Sequence, residues 1–320
     1  VIVVDDLSTD NTPEIVARYG ARCLRTEANI GPGGARNLGV QHARGEIVVF
    51  VDSDVVLPRN ALALIATEFR RDPELAALFG SYDDAPAWND FLSQYKNLMH
   101  HYVHQTSSEK AVTFWAGCGA VRKSIFQEFG GFNVEKYPDP SIEDIEFGYR
   151  LSMGGHRIRL NKQVQVKHLK KWTLRGLLRA DIRLRAIPWS RLILETRNLP
   201  RDLNLTPGAQ ISSLLVGVLV LLLGLLPLAA WDVFPWVSAG TILLAAGAVV
   251  AVLLVLNRRV YSWFVGKRGV WFTAGAVLAH WAYYFYSGVA FAWCAASHLV
   301  RSFFESFRRE GKVSPAKSGE

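Results

Sequence analysis

Up to about Leu205 the chain alternates short apolar runs with charged, turn-rich stretches; beyond it the apolar runs lengthen and lose their charges. The first part reads as a soluble α/β domain. Val1–Val4 is a strand from the first residue and is followed by a helix from about Pro13 to Tyr19, with Thr12 as its cap and Gly20 as its stop. Arg22–Arg25 is a second strand. Asn29–Gly39 is a glycine-rich turn opening into a helix through His42, and Ile47–Val51 is an unbroken β-branched and aromatic run. Such a run predicts a strand buried on both faces in a parallel sheet. A helix near Arg59–Arg70, a strand near Ala76–Gly80, a histidine-rich helix Asn89–His104 and a strand Thr113–Val121 follow. Gly130-Gly131-Phe132 closes another helix, and Ser141 caps one that carries Asp144 at its third position.

The second part predicts membrane spans. Ile211–Trp231 and Trp236–Leu256 are each 21 residues without a charge, enough at ~1.5 Å per residue to cross a ~30 Å core. Asp232 and a proline-containing turn join them. A third span, about 270–297, is rich in Trp and Tyr and contains His280. Between the second and third lies a basic loop, Asn257–Arg268. That loop and the basic stretch before Ile211 both face the cytosol by the positive-inside rule. Three spans put the basic tail, 301–320, outside, a conflict that a re-entrant third span would remove.

Charge changes the picture in one place. The 320 residues carry 36 Lys and Arg against 28 Asp and Glu, a formal net charge of +8. The excess gathers between Lys167 and Arg201, ten basic residues against Asp181 and Glu195. Arg175, Arg179 and Arg183 fall four apart among apolar residues that include Trp172 and Trp189, a basic amphipathic helix suited to an anionic membrane surface with its Trp at headgroup depth, or to packing on the preceding α/β domain. No nucleic-acid module accompanies the charge, so nucleic acid is not an expected partner. Cys23, Cys118 and Cys294 are too scattered for a disulfide framework or a zinc site.

The chemistry sits at loop ends. Asp52 and Asp54, spaced i, i+2 where a strand runs out, can share a hard cation or a metal-bound phosphate. The Asn29–Gly39 turn offers free N–H groups to a phosphate. His100, His101 and His104 lack a carboxylate at matching spacing, and a solvated or acceptor-facing helix is the expectation. The glycines of Gly117-Cys118-Gly119 allow close approach of a ligand or simply of neighbouring backbone. Asp144 is either a helix-capping acid or a general base.

Asp5-Asp6-x-Ser-x-Asp, the Asn29–Gly39 turn, Val51-Asp52-Ser53-Asp54, Gly117-Cys118-Gly119, Gly130-Gly131-Phe132 and Glu143-Asp144 occur in an order and spacing that resembles the family 2 glycosyltransferases over residues 1 to about 170. The resemblance implies a GT-A fold: a Rossmann-like α/β sheet, here a catalytic domain at 1–168. Basic interfacial helices at 169–208, membrane helices within 209–300 and a polar tail at 301–320 would follow. It implies an inverting, metal-dependent transfer from a nucleotide-diphosphate sugar to a lipid or lipid-linked glycan acceptor, at the cytosolic face of the plasma (inner) membrane.

In that likeness Asp5 or Asp6 contacts the nucleoside, Arg36 and Gly117 lie near the nucleotide, and Asp52 holds the ribose or metal side. Asp54, with His168, ligates Mg²⁺ or Mn²⁺, and Asp144 is the catalytic base. Such chains usually open with a further strand, so an N-terminally incomplete domain is expected. A Gln-x-x-Arg-Trp motif after the base is absent; Arg185 and Trp189 are nearest, at the wrong spacing, which argues against a processive polymer synthase. A polyprenyl-phosphate sugar synthase and a non-catalytic membrane scaffold are the alternatives.

Overall fold

The computed structural model describes residues 1–200, 203–231 and 238–310. They form two compact units, Val1–Ala180 with Pro200–Pro207, and Asp181–Leu199 with Gly208–Glu320.

In the first unit β1 (Ile2–Asp5), α1 (Thr12–Arg18), β2 (Arg22–Arg25), α2 (Gly31–His42) and β3 (Ile47–Val51) follow the hydrophobic pattern closely. Gly20, at φ +64°, ends the turn after α1 as expected. The cap differs: Thr12 is the first helical residue, and the Asp10 carboxylate accepts its N–H and hydroxyl. β1 and β2 pair in parallel as a two-stranded sheet of their own.

The larger sheet adds β4 (Val55–Val56), α3 (Ala61–Arg71), β5 (Leu75–Tyr82), α4 (Phe91–Thr106), β6 (Lys110–Ala111), β7 (Cys118–Arg122), α5 (Lys123–Glu128), α6 (Glu143–Met153) and β8 (Arg157–His168). Its order is β3-β7-β5-β8-β4, with β6 also on β8. Only β5 and β8 run parallel; the other pairs are antiparallel. This corrects the expectation for β3, which ends the strand order on one antiparallel partner and leaves Val51 42% exposed. An apolar run favours extended backbone but carries no information on the direction or number of its neighbours.

β5 is buried along its whole length, and each face of the sheet carries a core. One gathers Phe50, Phe114, Phe126, Phe132 and Phe147 against α2, α5 and α6. Their ring centroids lie 5.1–6.2 Å apart in tilted and edge arrangements, the geometry aromatic quadrupoles favour. The other packs Ile65 and Phe69 of α3 on Leu78, Val164 and Val166.

Of the α4 histidines His101 is buried, while His100 and His104 are half-buried against the sheet rather than fully solvated. His100 stacks on Tyr82, His101 is buried with Nδ1 2.7 Å from the Tyr82 carbonyl, and His104 lies edge-on to Phe79. The aromatic rings of β5 draw that face of the helix onto the sheet. Ile142, one residue after Ser141, occupies the cap position of α6, and the Ser141 N–H donates to Glu143.

Gly148 fixes where α6 crosses the sheet. A Cβ there would run into the backbone of Thr113 and Phe114, so the helix lies against that segment only because position 148 has no side chain. Gly148→Ala is expected to cost ~1–3 kcal/mol through overpacking, read as a lower thermal unfolding midpoint of the full chain.

Past β8, α7 (Leu174–Leu178) leads into a π-helical stretch, Arg179–Ala186, and then α8 (Ile187–Thr196). Pro188 has no N–H to donate, and the helix that delivers it is wound wide. Trp172 is buried, with Lys96 and Lys170 over its ring, so it is not the headgroup-level indole that the pattern suggests.

The second unit is helical. α9 (Pro207–Ala230) and α10 (Ala239–Leu256) are long and apolar enough to cross a membrane. α11 (Arg258–Glu310) is broken at Gly269, whose φ of +81° interrupts the helix. The basic segment after α10 is therefore helix rather than loop. The expected third span is helical too, but among the described residues only α9 and α10 reach the length and apolarity of a span. Its polar groups are used internally: Tyr284 Oη donates to Asn257, Asn257 donates to Ser212, and Tyr286 Oη donates to Asp181. The Asp232 turn, Trp236 and the tail from 311 lie outside the described residues.

Candidate active site

The acidic turn after β1 is built inward. Asp5 is buried; its carboxylate accepts the Ser8 N–H at 2.9 Å and pairs with Arg25 at 3.4 Å. Hydrogen bonding from Ser8 holds its pKa below the usual carboxylate range, against the cost of burial. Leu7 between them sits at φ +61°, a strained conformation held by its neighbours. Asp6 accepts from Thr26 Oγ1 and from the N–H groups of Ile30 and Gly31, each at 2.9 Å. The N-terminus of α2, expected to be free for phosphate, is thus capped by Asp6.

Arg36, on α2, links two acids from distant parts of the chain. It donates to Asp52 Oδ1 at 2.7 Å and to Glu143 Oε1 at 2.8 Å, and its guanidinium lies over the Phe132 ring. Burial works to lower its pKa, but Asp52, Glu143 and Asp144 outweigh this and raise it. Glu143 enters the sequence pattern only beside Asp144, with no role of its own; in the structure it is the residue through which, by way of Arg36, the Asp52 loop and the start of α6 are held together.

Asp144 is beside it. Its Oδ2 accepts the Ala116 N–H at 3.0 Å, while the Gly117 carbonyl accepts the Asp52 N–H at 3.1 Å. One stretch of backbone, Ala116-Gly117, therefore touches both acids. Burial pushes the Asp144 carboxyl up to about 6, and the charge of Glu143 adds to it; the Ala116 hydrogen bond and Arg36 act in the opposite sense. The result is a carboxylate that holds a proton more tightly than an ordinary Asp.

Gly117 shapes this corner by packing. A Cβ there would come within 2.5 Å of the Trp115 indole, and Trp115 in turn meets Tyr82 edge-on at 4.7 Å.

On the other side of Ser53, Asp54 Oδ2 lies 3.4 Å from His168 Nε2. The hydrogen bond from His168 holds Asp54 below its usual pKa, against burial. The His168 ring is stacked on Tyr82 with centroids 4.5 Å apart, and β4 pairing with β8 puts Val55 opposite His168. Among the described residues no three His, Cys, Asp or Glu groups converge as a complete metal cage. An Asp–His pair fits a cation that takes its other ligands from a diphosphate and water.

The structure thus brings Arg36, Asp52, Asp54, Asp144, His168 and Gly117 to one end of the sheet. Asp6 braces the turn leading into α2, and Asp5 the turn after β1.

Residues 1–130 match the family described as glycosyl transferase family 2. Poly-beta-1,6-N-acetyl-D-glucosamine synthases of Staphylococcus aureus (strain COL) and Staphylococcus epidermidis are each 24% identical over 196 residues, covering 57% of this chain and 46% of theirs. The chain spans about half the length of the curated relatives it matches. Among solved structures, S. aureus TarS is 22% identical with a TM-score of 0.39, covering 52% of this chain and 49% of that one. The mannosyltransferase PcManGT from Pyrobaculum calidifontis, in complex with GDP-Man and Mn²⁺, is 18% identical with a TM-score of 0.48, covering 92% of this chain and 77% of its own.

Proposed function

From the match of residues 1–130 to glycosyl transferase family 2, we propose that this protein transfers a sugar, with inversion, from a nucleotide-diphosphate donor to a lipid or lipid-linked glycan at the cytosolic face of the inner membrane. The observation that carries the reading is the Ala116-Gly117 backbone and Arg36 joining Asp52 to the start of α6. They hold a cation-binding loop and a tunable carboxylate at one leaving group. The two long apolar helices support a membrane location, and the polymer named in the staphylococcal relatives supports a glycan as acceptor.

Asp144 takes the proton from the acceptor hydroxyl as it attacks the anomeric carbon from the face opposite the diphosphate. Ala116 N–H orients it, and Glu143 keeps its proton affinity high enough to accept. Arg36 fixes the Asp52 loop, while Asp5 and Asp6 shape the turn proposed to receive the nucleoside. Asp54 and His168 would hold Mn²⁺ or Mg²⁺, and the imidazole favours Mn²⁺. Bound there, the cation would supply charge neutralisation for the leaving diphosphate.

The test is Mn²⁺-dependent turnover of a panel of nucleotide sugars by the full chain, with Asp54→Ala and Asp144→Asn as controls. Metal-independent turnover defeats the cation's part in the reading, and no turnover with any donor defeats it whole and leaves a membrane scaffold.

The acid limb of kcat/KM follows from Asp144. The base works only when ionised, so activity is expected to rise with pH through about 6 and to flatten above it. Glu143→Gln removes the neighbouring charge and is expected to move that limb to lower pH. Stability runs the other way. Because the folded-state pKa is raised, the native state binds more protons than the unfolded chain between about 4 and 6, so this group's contribution falls as pH rises through that window.

A further inference from the structure

The first unit carries an apolar and basic surface that the site chemistry does not use. Trp88, Phe91, Leu169, Leu174 and Leu178 are all exposed, Leu174 by 61%. Leu174 and Leu178 fall on one side of α7, while Leu177 points inward and is buried.

The loop bearing Trp88 is tied to the segment after β8 at several points. Trp88 Nε1 donates to the Leu169 carbonyl at 2.7 Å, Lys167 Nζ donates to the Ala85 carbonyl, and Lys171 lies over the Trp88 ring at 4.8 Å. The acids nearby are engaged: Asp83 pairs with Lys167 at 3.5 Å, and Asp90 accepts the Ser93 N–H at the start of α4. Lys170, Lys171, Arg175 and Arg179 stand exposed among these apolar groups.

We propose that the Ala85–Phe91 loop and the Leu169–Arg179 segment form one docking surface for the anionic headgroup layer of a bilayer. The occupant follows from the chemistry. An indole with an apolar body and a pinned polar edge suits the headgroup boundary, and leucines interleaved with exposed cations match acyl chains beneath anionic phosphates.

The surface is continuous with the proposed cation pair, because the Leu169 N–H donates to the Asp54 carbonyl at 2.8 Å and His168 precedes Leu169 in the chain. Docking would therefore present Asp54 and His168 to a hydroxyl or phosphate held at the lipid surface. That last step rests on the proposed function; the docking itself does not.

The test uses the full chain in nanodiscs, in a Cys23→Ser background, since Cys118 and Cys294 are buried. A fluorophore is placed at Asn89→Cys or Leu174→Cys, and the quencher is a lipid with a headgroup nitroxide. Loss of fluorescence is expected at both positions in phosphatidylcholine discs containing phosphatidylglycerol. It should be weaker in pure phosphatidylcholine and be relieved by salt or by Lys170→Glu with Lys171→Glu. A fluorophore at Leu62→Cys, an exposed position on α3, should keep its fluorescence. The proposal is overturned by unquenched probes at 89 and 174, by equal quenching at 62, or by self-quenching between copies in place of lipid quenching. Sugar transfer does not enter the readout, so a failure here is separable from a failure of the enzymatic reading.

Discussion

Asp144→Asn is expected to lower kcat by ~10²- to 10⁴-fold, equivalent to ~3 to 5 kcal/mol of barrier, with donor affinity nearly unchanged. The substitution keeps the shape of the side chain and an oxygen to accept the Ala116 N–H, so the position of α6 should survive. It removes the only property transfer requires of that group, the ability to bind a proton. It also removes a charge next to Glu143, so the variant should be no less stable than the parent above pH 6, where the native carboxylate is ionised in a poorly solvating place. Steady-state transfer and a thermal melt of the same preparation check both halves. Equal rates in variant and parent would mean that another group takes the proton.

Comparison of Glu143 with Asp144 shows what the sequence could reveal. Asp144 stood out because a carboxylate at a helix start has recognisable chemistry. Glu143, one residue earlier, looked like more of the same acid. Its importance arises from Arg36, 107 positions away, and no local pattern encodes that meeting. The same limit explains Asp6. A glycine-rich turn before a helix advertises free N–H groups, yet a carboxylate one residue past β1 takes two of them, those of Ile30 and Gly31.

Local elements were more legible, because spacing decides them. The bounds of β2, β3 and the end of α2 follow directly from runs and punctuation. β8 carries a weaker signal, an alternation in which Ile158, Leu160, Val164, Val166 and His168 are buried while Arg157 and Gln163 are exposed. Interspersed Arg, Lys and Gln hid an alternation that places His168 beside Asp54. Strand direction was not legible either, since antiparallel β7 and parallel β8 flank the same β5. In the helical unit the apolar length of α9 and α10 was plain, whereas the polar fastenings among Ser212, Asn257 and Tyr284 depend on how the helices pack.

Removing the cation or its ligands is the second large effect. Asp54→Ala, His168→Ala and chelation by EDTA are each expected to lower turnover by ~100-fold or more, on the order of 3 kcal/mol or above, because charge on the departing diphosphate would go uncompensated. The Asp54–His168 separation of 3.4 Å makes the two side chains partners of each other in the absence of a cation. Metal must therefore displace that contact to bind. Mn²⁺ binding, followed by electron paramagnetic resonance with and without a nucleoside diphosphate, separates loss of the ligand from loss of catalysis. His168→Asp converts the pair to all-oxygen donors and should shift the preference from Mn²⁺ towards Mg²⁺. Tyr82→Ala, which removes the ring stacked on His168, should weaken Mn²⁺ binding without deleting a ligand. Undiminished Mn²⁺ binding in both Asp54→Ala and His168→Ala would place the cation elsewhere and separate the strand-end acids from the chemistry.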